Sequence, residues 1–370
     1  MDKRRVLIYA AVLAVLAILI YFQFRTWKNF DWATFWASGK QLGHRPNIYH
    51  ILHAIACIYL AYIMRAIRWK IFLRPVRKTS WTKLIVPTIL GFTGLAMLGR
   101  PGELIRPYLI ARREKLTFPS QLAVWVVERI FDLAAFTLIM VSAIFLPTKL
   151  RAFAAADPHP SDFHLWRFHF TVPLLAAVGY GLLVTLLGAL SAAVLVYYKS
   201  EAIASWVETR FSHLAKNLGH RIAQRIREFA DGLNTIHGLS SFLQLSAVSV
   251  LMWWLIAVAY KEVTHSYGVK ELDIAQTKVL LLMGLSMVGS MIQLPGVGGG
   301  SQLAIIFGLE RIFEVPRELA ASCGILLWLV TFVAVVPLGL LLAHRERISF
   351  RQLSKESQHE EEEEVAHTNH

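Results

Sequence analysis

Along this chain, apolar runs of membrane length alternate with short stretches rich in arginine and lysine. Six runs reach the ~20 helical residues that cross a hydrocarbon core of ~30 Å: about 6–24, 51–73, 120–146, 172–198, 240–260 and 319–343. Two further apolar regions, about 84–111 and 275–313, are each interrupted by glycine and proline. The strict alternation of a membrane strand is absent. The pattern predicts an all-α fold, a polytopic membrane helix bundle with about six full spans and two interrupted helical elements.

The basic residues assign the sides of the membrane. Lys3, Arg4 and Arg5 place the N-terminus in the cytoplasm, and Arg65, Arg68, Lys70, Arg74, Arg77, Lys78 and Lys83 return the second span there. The region 84–111 starts beside that cluster and ends in another, Arg112, Arg113 and Lys115. Both ends therefore want the same side, which a helical hairpin satisfies and a single crossing does not. The same parity argument makes 275–313 a second hairpin, entering from the opposite face, because the last span must end at the basic stretch after 343. Two opposed re-entrant hairpins are the expectation, since such broken helices surround midplane sites in transporters. The competing reading is a fully crossing pair, which would have to span within roughly 12 residues after the glycines where ~20 are needed. A basic amphipathic segment over about 200–237 should lie on the cytoplasmic surface. Residues 1–343 then form one transmembrane domain, and 344–370, with the run Glu360 to Glu364, a charged, disordered cytoplasmic tail. With both termini cytoplasmic, the expected location is the cell inner (cytoplasmic) membrane.

Composition agrees and narrows the classes. Of 370 residues, 55% are hydrophobic and only 17% charged, less charge than a soluble domain carries. The formal net charge of +13 is dispersed beside the membrane runs, so it fits topology and anionic lipid rather than nucleic acid. Only two cysteines occur, Cys57 and Cys323, each inside an apolar run, which suggests neither a disulfide framework nor a metal site. The first apolar run lacks a small-residue cleavage site and reads as a retained anchor.

The interruptions carry the candidate chemistry. In "QLPGVGGGSQ" (293–302), Pro295, Gly296, Gly298 and Gly299 break the helix, and Ser301 and Gln302 open the next one. Irregular backbone survives at membrane depth only if buried in protein or facing water, and helix starts offer free N–H groups to anions. In "LGRPGELIRPYLI", Arg100, Glu103 and Arg106 recur every three residues, while "VVERIFDL" places Glu128 and Asp132 on one face beside Arg129. Guanidiniums match phosphate oxygens, so Arg100 and Arg106 read as headgroup ligands. Glu128, Arg129 and Asp132 read either as part of that site or as a structural ion-pair network, for instance Arg129 with Glu103 or Asp132. Arg65 and Arg68 read as snorkelling topology markers, with headgroup contact as the other option. The loop histidines His159, His164 and His169, with Asp157 and Asp162, read as solvated rather than metal-binding. No nucleotide-binding, zinc-protease or Ser/His/Asp signature is present, so no catalytic residue, metal or cofactor is expected.

These residues also carry a resemblance. "RAIRW" (65–69), "GRPGELIRPYLI" (99–110), "VERIFD" (127–132) and "LPGVGGGSQ" (294–302) look like the lysylphosphatidylglycerol synthase transmembrane-region, or flippase-like, family over roughly 5–343. The resemblance implies two opposed re-entrant hairpins around a cavity reachable from either leaflet. It further implies movement of lipids between leaflets, including aminoacylated phosphatidylglycerol or polyprenyl-linked sugar lipids. It departs at Gln302, where many members carry a glutamate. Bifunctional members add a soluble aminoacyl-transferase domain after the membrane part; the chain stops soon after its last span, so lysyl transfer is not the expected activity. Dimers are suggested for the family, and the sequence neither supports nor opposes a homodimer.

The resulting expectation is an integral membrane lipid translocase. It would move an anionic phospholipid or polyprenyl-phosphate lipid through a site of Arg100, Glu103, Arg106, Glu128, Arg129, Asp132, Pro295, Gly296, Gly298, Gly299, Ser301 and Gln302. The alternative is an enzyme or accessory subunit of cell-envelope glycolipid modification, with Glu103, Glu128 or Asp132 as acid/base.

Overall fold

The computed structural model describes residues 31–44, 47–145, 163–165, 168–170, 174–211, 223–224, 226–228, 230, 238–290, 293–294 and 298–346. The expected first span (6–24), the tail beyond 346, Asp157, His159 and Asp162 lie outside them, as do Pro295 and Gly296. The described chain is helical: α1 Trp32–Gln41, α2 Asn47–Leu73, α3 Trp81–Leu98, α4 Ile105–Glu114, α5 Phe118–Phe145, α6 Leu174–Phe211, α7 Gly238–His265, α8 Gln276–Gly289, α9 Gly300–Phe307, α10 Arg317–Trp328 and α11 Val336–Arg345. Extended backbone is confined to two short antiparallel pairings, Phe163–Leu165 with Phe168–Phe170 and Gln293–Leu294 with Gly298–Gly299. The first sets His164 opposite His169.

Among the described residues, four helical runs are long and apolar enough to cross a membrane: α2, α3, Leu239–His265, and Arg317–Arg345, in which α10 and α11 join through a π-helical turn. The described helices thus make a multi-pass membrane protein, while the expected count of six spans rests partly on residues outside the description. One expectation changes. The segment after 198, expected as a separate surface helix, begins as a continuation of α6, which runs unbroken for 38 residues.

The main core forms where α2 lies along α7. Ala54, Cys57 and Ala61 recur along one face of α2, and Ala257 lies buried on α7. Small side chains let helix backbones close up, which is how helices associate without a hydrophobic drive in lipid. Met252, Trp253 and Tyr260 of α7 and Phe136 of α5 fill the remaining space.

Both interrupted regions fold back on themselves. α3 ends at Gly99, whose φ of 71° is a left-handed turn that a side chain would resist. A 3-10 turn, Arg100–Leu104, then reverses the chain into α4. The two mouths of this hairpin adjoin: the Thr79 hydroxyl donates to Glu114 Oε1 at 2.9 Å, and Arg77 lies 3.7 Å from the same carboxylate. In the second region α8 packs against α9, with the Gly289 and Gly300 backbones in close approach. Its mouths adjoin as well, Lys278 Nζ lying 5.4 Å from the Phe313 ring centroid. The two hairpins meet at their tips, where Arg100 Nη2 donates to the carbonyl of Ser290 at 2.6 Å.

Candidate functional site

The site starts from a stripe on α5. Gln121, Val124, Glu128, Phe131, Asp132, Ala135 and Ile139 are all buried, at the 3–4 residue spacing of one helix face. Two carboxylates four residues apart on that stripe stand about 6 Å apart along the axis. Arg68 of α2 spans the gap: Nη2 donates to Glu128 Oε1 at 2.6 Å and Nη1 to Asp132 Oδ1 at 2.5 Å. Nη1 also reaches the Ser249 hydroxyl at 2.9 Å, and the Trp253 indole N–H donates to Asp132 at 3.2 Å. Both come from α7, so three helices are tied at one point.

The first hairpin adds Arg106. Its guanidinium forks onto Glu128, with Nη1 donating to Oε1 at 3.2 Å and Nη2 to Oε2. It also lies 4.4 Å from the Trp69 ring centroid and 5.5 Å from that of Phe92, distances at which a ring face attracts a cation. Gly91 makes this possible, because a Cβ there would fall 2.5 Å from the Arg106 Cβ. Replacing Gly91 by valine is therefore expected to pry α3 from α4 and cost about 1–3 kcal/mol. A melting temperature lowered in the purified variant would show it; an unchanged one would refute the close approach.

Two more arginines close the cluster. Arg65 reaches Asp132 Oδ2 at 3.5 Å and stacks 4.8 Å from the Phe92 ring centroid. Arg129 pairs with Asp132 at 3.0 Å and Glu128 at 3.5 Å, yet 39% of its side chain stays exposed. Arg129, Arg106, Glu103, Gly91, Phe92 and Trp125 help line a small open cleft with room for little more than a water-sized body. One wall is cationic and another aromatic. Chemically, the guanidiniums of its lining suit an anion and the aromatic rings suit methylenes.

The fold thus brings Arg106, Glu128, Arg129 and Asp132 together and sets Glu103 at the cleft. Arg100 stands apart from the buried cluster, nearly half exposed, pairing with Glu103 at 2.6 Å and holding Ser290. Its position makes it a tether between hairpin tips. Gly298 and Gly299 form the short pairing at the second break, and Ser301 is buried at the start of α9. Among the described residues no hydrogen bond or ion pair joins Ser301 or Gln302 to the cluster.

Arg65 and Arg68 overturn a sequence expectation. They are not snorkelling markers, being only 7% and 0% exposed. The physical reason is the helix period: Tyr62, Arg65, Trp69 and Phe72 fall on one face of α2 with Arg68 beside them, and all are buried. Two arginines three residues apart, flanked by aromatics at helical spacing, were the available signal. Ser249 and Trp253 had none beyond their i, i+4 spacing.

A profile of the family described as "Lysylphosphatidylglycerol synthase TM region" matches residues 8–339. No curated protein and no solved structure matches significantly.

Proposed function

The chain belongs to the lysylphosphatidylglycerol synthase TM region family, an integral membrane family of lipid-related function, and from this we propose that it is a lipid translocase. It moves an anionic phospholipid or a polyprenyl-phosphate lipid between leaflets, in the inner membrane, with both termini in the cytoplasm. The observation that carries the reading is the cleft where Arg106 and Arg129 stand beside Glu103, Phe92 and Trp125. Arg129 and its neighbours Glu128 and Asp132 sit near the middle of the 28-residue α5, where a charge is costly and marks a polar path.

In this reading both hairpins are re-entrant and the segment 1–343 is one translocating domain. α3 has 18 residues and α8 has 14, about 27 and 21 Å of helix. Set tip to tip they reach about 48 Å, slightly more than the ~40–45 Å of a bilayer with its headgroups, which a modest tilt takes up. A phosphate held at the cleft crosses the core partly neutralised, which lowers the barrier to its passage, while its tails stay in lipid. The enzyme alternative is weaker: Glu103, Glu128 and Asp132 are each held by an arginine, so acid/base work would first have to break an ion pair.

The test is reconstitution of the full chain into proteoliposomes carrying labelled anionic lipid. Leaflet exchange faster than in protein-free vesicles is expected. Exchange no faster than in those vesicles, with turnover of a polyprenyl-phosphate sugar instead, would assign the enzyme alternative.

A further inference from the structure

We infer that the headgroup accepted by the cleft carries two negative charges rather than one. The inference rests on the translocase reading and narrows its substrate. Four guanidiniums, of Arg65, Arg68, Arg106 and Arg129, meet two carboxylates, of Glu128 and Asp132. Each arginine has a carboxylate neighbour, but four minus two leaves a net excess of two positive charges in the cluster among the described residues. Including the neighbouring Arg100–Glu103 pair does not alter the difference. Three of the four arginines are buried, and buried charge is held in place by opposite charge because an uncompensated ion is costly to desolvate.

The shortage of counter-charge faces the cleft. Arg68 takes both carboxylates at 2.5 and 2.6 Å. Arg106 shares Glu128 with it, and Arg129 shares both carboxylates, while the buried Nε atoms of Arg68 and Arg129 have no hydrogen-bond partner among the described residues. Arg106 and Arg129 are the two arginines lining the cleft. A phosphate diester brings one negative charge and leaves the cluster one short. A phosphate monoester brings about two, as does a diphosphate esterified at both ends, with enough oxygens for both planar forks. A headgroup bearing a free amine, such as an aminoacylated phosphatidylglycerol, would add positive charge to a surplus. The chemistry selected is therefore a terminal phosphate monoester or a doubly esterified diphosphate. The aromatic wall formed by Phe92 and Trp125 points to a lipid as its bearer rather than the free ion.

The experiment measures binding to the purified full chain by native mass spectrometry and thermal shift, with phosphatidic acid, phosphatidylglycerol and inorganic phosphate as probes. Phosphatidic acid is expected to bind at least about tenfold more tightly than phosphatidylglycerol. Arg129→Gln, at a half-exposed position that folding tolerates, should remove most of that preference, and Arg129→Lys should restore it. Equal affinity for the two lipids would overturn the two-charge inference while leaving translocation standing. Inorganic phosphate binding as tightly as phosphatidic acid would overturn the lipid as bearer. Binding of neither anionic lipid would remove the translocase reading itself.

Discussion

Replacing Glu128 by glutamine is expected to destabilise the protein by about 3–5 kcal/mol, the cost of stripping one partner from a buried ion pair. Glu128 is fully buried and accepts from Arg68 at 2.6 Å and from both terminal nitrogens of Arg106. Its loss leaves Arg106 with no carboxylate and Arg68 with Asp132 alone, in a cluster already short of negative charge. Glutamine adds two donors where acceptors are needed. The internal control is Glu103→Gln: among the described residues that carboxylate pairs only with the half-exposed Arg100, and its removal should cost less than about 1 kcal/mol. Melting temperature and monodisperse yield of the two variants check this. Equal behaviour would contradict the buried network.

Replacing Arg106 by glutamine should leave the fold standing and stop transport. Glu128 keeps its bond to Arg68, so no buried carboxylate is orphaned, and the shape of the side chain is partly kept. What is lost is the fork that faces the cleft beside Trp69 and Phe92. A charged hydrogen-bonding group is worth ~1.5–3 kcal/mol, so translocation in proteoliposomes should fall by about 10- to 100-fold with little change in melting temperature. An exchange rate equal to the parent's would take Arg106 out of the path.

Much of this was legible before any coordinates. The apolar runs placed α2, α5, α7 and the Arg317–Arg345 run, because membrane length and helix length coincide. The charge of the loops suggested two hairpins; both regions fold back, with Thr79 beside Glu114 and Lys278 beside Phe313, while their re-entry into the membrane belongs to the proposed function. Glu128 and Asp132 were legible as a pair because α-helical spacing alone puts them on one face. Arg65 and Arg68 were misread, since an arginine near the end of a span looks the same whether it snorkels or turns inward. The partner that decides it, Asp132, lies 64 residues from Arg68 and no local pattern reports it. Arg100 was legible as polar chemistry at a break, but its bond to Ser290 spans 190 residues and no local pattern reports it. The small-residue contact of Gly91 with Arg106 was equally hidden, because it depends on how the two arms cross.

The most direct measurement is sided cysteine labelling in intact cells, on a chain with Cys57 and Cys323 replaced. Single cysteines at Lys78 and Lys115 flank the first hairpin, and those at Ala275 and Glu314 flank the second; all four positions are exposed. With two hairpins plunging from opposite faces toward the arginine cluster, Lys78 and Lys115 should react only from the cytoplasmic side and Ala275 and Glu314 only from the outside. Lys78 and Lys115 reacting from opposite sides would make 79–114 an ordinary crossing and contradict the account.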